Sequence, residues 1–164
     1  MLDRNSLAEV LGLLAVVASL AFVALEIRQA NQIAIGTTSY ELGRNWMSIN
    51  DLMITNADVG ALVIALSDEN FVPKDDLQSV QAHAFARRFL NMWVSAEEAY
   101  KTGIASEALY SAASMDVKAV VGNIPGVVRV FETVGEDYDL TKYRLLDPLV
   151  EAIERLPARN DAAR

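Results

Sequence analysis

Residues 7–27 read LAEVLGLLAVVASLAFVALEI, and the rest of the chain takes its meaning from this stretch. Between Val10 and Leu25 no residue is charged, and Ser19 is the only polar side chain. Asp3, Arg4 and Glu9 precede the run; Glu26 and Arg28 close it. As a helix rising ~1.5 Å per residue, the uncharged run covers ~24 Å. A hydrocarbon layer is ~30 Å thick. Leu7 and Ala8 lengthen the segment once Glu9 reaches the headgroups, with Glu26 and Arg28 at the opposite interface.

Two other readings compete with a spanning helix. Ser19-Leu20-Ala21 resembles a secretory cleavage site, but Asp3 cancels Arg4 in the leading region and the helical pattern continues past the cut. A buried helix of a soluble bundle normally shows a polar face within four turns, and this stretch shows none. We therefore expect residues 7–27 to cross a membrane, preceded by a short flank at 1–6. Ala8, Gly12, Ala15 and Ser19 recur at spacings of four, three and four. They form a small-residue ridge of the kind that lets helices approach closely in lipid, so they are the candidate helix–helix contact. Arg28 and Arg44 follow the segment while only Arg4 and the amino terminus precede it. That asymmetry favours an inner-membrane protein with its carboxyl-terminal domain in the cytoplasm.

Composition narrows the remainder. The chain has 164 residues, enough for one folded domain with a real core. It is 52% hydrophobic, which excludes general disorder. The net charge is −8 with no basic run, so the counterion release that drives nucleic-acid binding has no source. There is no cysteine, hence no disulfide framework and no thiolate chemistry.

After Ile27 the pattern becomes amphipathic without a helix breaker. Ile35, Ser39, Leu42, Trp46, Ile49 and Met53 alternate at four and three. One helix over residues 6–54 is predicted, with a kink or break near Gly36 and Thr37-Thr38. Asp58 is the expected cap of a short helix to Leu66. Residues 67–76 form a loop, and Asp75 or Asp76 caps a long helix over 77–102 that Gly103 ends. Its broad apolar arc (Phe85, Phe89, Leu90, Trp93, Ala96) predicts the centre of the bundle. Ser106 starts the next helix, to about Gly122, followed by a turn at 123–126 and a helix over 127–134. Thr141 is expected to cap a last helix to Leu156, with Asp147-Pro148 as a kink or restart. Pro157 stops it, and residues 157–164 are expected to be disordered. The predicted fold is all-α: an N-terminal transmembrane helix continuing into a small helical bundle over 28–156.

The block Glu9-Val10-Leu11-Gly12, then 16–20 (VVASL), then Ile27-Arg28-Gln29 with Asn31, resembles the opening of a widespread, uncharacterised bacterial family. Its members are small single-pass helical membrane proteins with an Ile-Arg-Gln-x-Asn-like string after the membrane segment. The likeness extends to Trp46, Trp93, Tyr100, Gly103 and the Pro125-Gly126 turn. It implies a membrane protein that is all helix, and no catalytic residue. Independently, Arg28, Gln29 and Asn31 suit a membrane interface, where the guanidinium reaches lipid phosphate and the amides satisfy headgroups; an ordinary polar collar has the same composition.

Catalytic patterns are sparse. His83 is the only histidine, and Glu97 lies about 21 Å along the same helix. No Glu-x-x-His motif is present. Glu97 and Glu98 are about 100° apart and do not converge. The glycines form no phosphate-binding fingerprint. Arg87 and Arg88 sit within the most apolar helix and are the candidate anion-binding residues, unless acids such as Glu97 or Glu98 pair with them. No cofactor, metal or catalytic residue is therefore assigned. The expected function is non-enzymatic: an interaction or accessory subunit of a membrane complex, partnered by lipid and by another protein or copy. The alternative is a tethered ligand-binding or sensory domain with Arg87 or Arg88 as its anion anchor.

Overall fold

No proline interrupts residues 4–55, and the first element runs far past the apolar stretch. In the computed structural model, which describes residues 4–157 with side chains from Ala8 onward, α1 spans Arg4–Thr55. The first three residues of the expected flank, and the expected tail beyond Pro157, lie outside the described residues. Gly36 and Thr37-Thr38 do not break the helix, contrary to the break that their low propensity suggests. A penalty of about 1 kcal/mol for a helical glycine is small when the flanking turns are all hydrogen-bonded. The chain nevertheless divides there into two units, Met1–Thr37 and Thr38–Arg164.

In the first unit the described side chains from Ala8 to Ala34 are all exposed. Leu11, Leu13, Leu14, Val16, Val17, Leu20, Phe22 and Leu25 are among them. The helix is long and apolar enough to cross a membrane, and none of its apolar window is buried within the chain. The buried-core reading is therefore not what the fold shows.

The second unit is all-α, and among the described residues no strand occurs. It contains the end of α1 followed by α2 (Ala57–Leu66), α3 (Asp76–Lys101), α4 (Glu107–Asn123), α5 (Gly126–Gly135) and α6 (Asp147–Glu154). Here α1 becomes amphipathic as its spacing predicts: Leu42 and Ile49 are buried, with Trp46 and Met53 packed beside them. The cap of α2 is Asn56, not Asp58. Its side-chain oxygen accepts from the N–H of Asp58 (3.0 Å) and Val59 (3.2 Å). One residue separates α1 from α2, so the extended cap conformation falls on Asn56 (φ −113°) and leaves Asp58 in the first turn, where its charge suits the helix dipole.

At the start of α3, Asp75 accepts from Gln78 N–H (2.7 Å) while Gln78 accepts from Lys74 N–H (2.9 Å), a reciprocal cap. The aromatic rings on this helix then pack edge-on and tilted toward the centre. Phe85, Phe89, Trp93 and Phe131 form a chain with centroid separations of 5.0, 5.3 and 5.5 Å. Trp93 is fully buried, and its indole N–H donates to Asp116 on α4 (2.7 Å). This is the predicted centre of the bundle. Gly103 ends the helix with φ +73°, a conformation that side chains disfavour.

Gly126 opens α5 and is not merely part of a turn. A Cβ there would lie 2.7 Å from both the Leu66 carbonyl oxygen and Phe71 Cβ, so glycine is what lets α5 meet the end of α2. The last helix also differs from expectation. Residues Leu140–Lys142 and Arg144–Leu146 form 3-10 turns, and α6 begins only at Asp147. Thr141 hydrogen-bonds Asp139 (2.8 Å) and caps no α-helix. Pro148 has no N–H to pair with the carbonyl of Arg144, so a helix cannot run through it and restarts there.

Candidate functional site

Arg87 and Arg88 are consecutive on α3, hence about 100° apart around its axis, and they meet different neighbours. Arg87 pairs with Asp137 in the turn after α5. Both side chains are more than half exposed, and such surface pairs contribute at most about 1 kcal/mol. Arg88 points to α1 instead, donating to the Ser48 hydroxyl (2.6 Å). Among the described residues no carboxylate lies within ion-pair distance of Arg88. Neither arginine pairs with Glu97 or Glu98. Those acids are two to three turns further along α3, beyond side-chain reach.

Beside Arg88, α1 and α3 leave an open cleft of about 210 Å³ lined by Asn45, Ile49, Arg88, Asn91, Met92 and Ser95. Ile49 and Met92 are buried and form its apolar floor. Asn91 is held by Tyr138, whose hydroxyl donates to the amide oxygen (2.8 Å). With its oxygen engaged, the NH₂ end of Asn91 remains as a donor. The cleft therefore offers a cation, amides and a hydroxyl with no acid among its lining residues.

The sequence pattern did not anticipate Glu97. It is the one buried charged residue among those described, 2% exposed. Its carboxylate accepts from the backbone N–H of Arg144 (3.1 Å) and Leu145 (2.7 Å) and pairs with Lys101 (2.9 Å). The 3-10 turn at Arg144–Leu146 has no side-chain cap of its own, so Glu97 caps it from another helix. One signal was present: Glu97 follows Trp93 by four residues, on the same apolar stripe. Its bond to Glu97 holds the Lys101 ammonium above the ordinary lysine value of 10.5, with the charges of Glu97 and Glu98 adding to the effect and burial opposing it. Burial raises the Tyr110 hydroxyl above 10.0, and the negative charge of Glu97 adds to it. Tyr110 stacks on Tyr100 at 4.4 Å, and Lys101 sits 5.0 Å from the Tyr143 ring centroid. Every lone pair used here is committed to the fold, so this cluster is a structural knot.

His83 is half-buried, its Nδ1 2.7 Å from the Ser79 carbonyl one turn earlier in the same helix. Among the described residues no cluster of three His, Asp or Glu side chains is placed to hold a metal ion. On α1, Ala8, Gly12, Ala15 and Ser19 are exposed, and Ser19 returns its hydroxyl to the Ala15 carbonyl (2.9 Å). A Cβ on Gly12 would meet nothing within 4 Å. Arg28, Gln29 and Asn31 are likewise exposed. Compared with protein-family models, with curated proteins and with solved structures, the chain matches none of them.

Proposed function

We propose that the chain is a membrane-anchored interaction protein: residues 7–27 cross the inner membrane, and the acidic bundle serves in the cytoplasm as an accessory subunit of a membrane complex. The observation that carries the reading is the continuous helix whose described side chains from Ala8 to Ala34 are all exposed. Apolar surface of that extent is costly in water and satisfied in hydrocarbon. Orientation follows from Arg28 and Arg44 on the carboxyl side. The resemblance of residues 9–31 to a family of small single-pass proteins supports the same reading.

A role in interaction is supported by the bundle portion of α1. Tyr40, Met47 and Ile54, seven residues apart, are 65%, 57% and 82% exposed. They follow one face, turning only ~20° per heptad. An apolar line of this kind is available for contact with another helix.

Fractionation is the decisive test. The tagged chain should stay in membranes through an alkaline carbonate wash, and its release into the wash would remove the anchor. The Gly12→Leu/Ala15→Leu double variant tests the ridge, since Gly12 has room within the chain for a larger side chain. The variant should remain in the membrane but recover less of its partners, or of a second copy, in mild detergent. Unchanged native mass and unchanged partner recovery would argue against contact through this ridge.

A further inference from the structure

Independently of the tether, we infer that the cleft between α1 and α3 is a binding site for a small organic oxyanion, a carboxylate or phosphate monoester with a short apolar portion. Three observations converge on it. Arg88 is held by a hydroxyl at 2.6 Å, which orients the guanidinium without neutralising it, whereas its neighbour Arg87 is engaged by Asp137. The lining contains no acid, although the chain carries a net charge of −8. The Tyr138 hydroxyl occupies the acceptor end of Asn91 and leaves its donor end.

The guanidinium fork matches the paired oxygens of a carboxylate or phosphate, and the Asn91 amide adds a neutral donor. Ile49 and Met92 give the ligand's apolar portion an apolar floor. Size limits the class further. A cleft of about 210 Å³ holds roughly seven waters at ~30 Å³ each, so the ligand has on the order of six or seven non-hydrogen atoms inside. Butyrate and methyl phosphate meet that limit.

Titration calorimetry of the full chain in detergent micelles, with butyrate and with methyl phosphate, tests the site. Saturable binding of either probe at one site per chain is expected. Arg88→Gln should weaken it about tenfold or more, because a charge-assisted bond is lost. Arg88→Lys should fall between, keeping the charge but losing the fork. Arg87→Gln should change affinity by less than about twofold, since Arg87 is committed to Asp137. Circular dichroism melts establish that each variant is folded. No saturable binding of either probe overturns the proposal, and so does equal weakening by Arg87→Gln and Arg88→Gln, which would reduce it to general electrostatics. Competition identifies the source of a phosphate ligand. Displacement of methyl phosphate by nanodiscs containing phosphatidic acid, but not by phosphatidylcholine discs, assigns the site to a lipid headgroup; no displacement assigns it to a soluble ester. Either result supports the site.

Discussion

The apolar stretch of α1 and the helix α3 are the two long helices that carry the most apolar surface, and they meet opposite fates. From Ala8 to Ala34 α1 buries none of its described side chains, while α3 buries Phe85, Phe89, Leu90, Met92 and Trp93. Apolar content separates them in part, since α3 carries charges and the run from Val10 to Leu25 carries none, and pattern does the rest. In α3 the charged residues Arg87, Arg88 and Glu98 break the surface into an apolar arc and a polar remainder, which lets neighbouring helices cover one side. Between Val10 and Leu25 there is no polar remainder, so no arrangement of one small bundle covers it. Such a helix is suited to lipid, the solvent proposed for it.

The sharpest way to break that comparison is to damage one region and ask whether the other responds. Trp93→Ala removes the centre of the aromatic chain and leaves Asp116 without its donor. A loss of about 3–5 kcal/mol is expected, enough to unfold a marginally stable bundle. Urea or thermal melts in detergent read that loss directly. With residues 7–27 as the proposed anchor, membrane retention should be unchanged. A Trp93→Ala chain that leaves the membrane would show that the bundle, not the apolar stretch, holds it there.

Glu97→Ala should cost somewhat less, about 2–4 kcal/mol, as the buried N–H of Leu145 and the half-buried N–H of Arg144 lose their acceptor. The effect is local. Hydrogen exchange should rise first at Arg144 and Leu145 and only later in α3. Uniform exchange across the bundle would mean that Glu97 stabilises by filling space and not by capping the 3-10 turn.

These two residues also mark how far the sequence could be read. Trp93 was legible because its partners on α3 recur at helical spacing, and Ser106 and Asp75 were legible as caps because a cap acts within three residues. Asn56 was missed in favour of Asp58 by a shift of two residues, within the usual uncertainty of helix ends. The 3-10 turns at Leu140–Lys142 and Arg144–Leu146 were not legible, since Glu97, which holds the second, is 47 residues away from Arg144. The same holds for the arginines. Adjacent cations look alike in sequence, and only the neighbours that folding brings, Asp137 for one and Ser48 for the other, make them different.

The smallest expected effect is on pH dependence, and it separates the two regions once more. Lys101 and Tyr110 both hold their protons more tightly in the folded state than at their ordinary values of 10.5 and 10.0. Unfolding therefore releases protons in the alkaline range, and stability falls as pH rises. The contribution of Lys101 is complete below 10.5 and is lost as pH climbs through its raised folded value. Tyr110 adds a loss of the same sign from about 10.0 upward, because its ionised form is disfavoured by burial. Melting temperatures should be level with respect to these two groups near neutrality and decline above about pH 10, and Lys101→Met should flatten part of that decline. An alkaline carbonate wash falls in this range, where the bundle loses this part of its stability while the uncharged run from Val10 to Leu25 has nothing to titrate. Retention through the wash, with the bundle weakened, would place the whole of the attachment in that one stretch of α1.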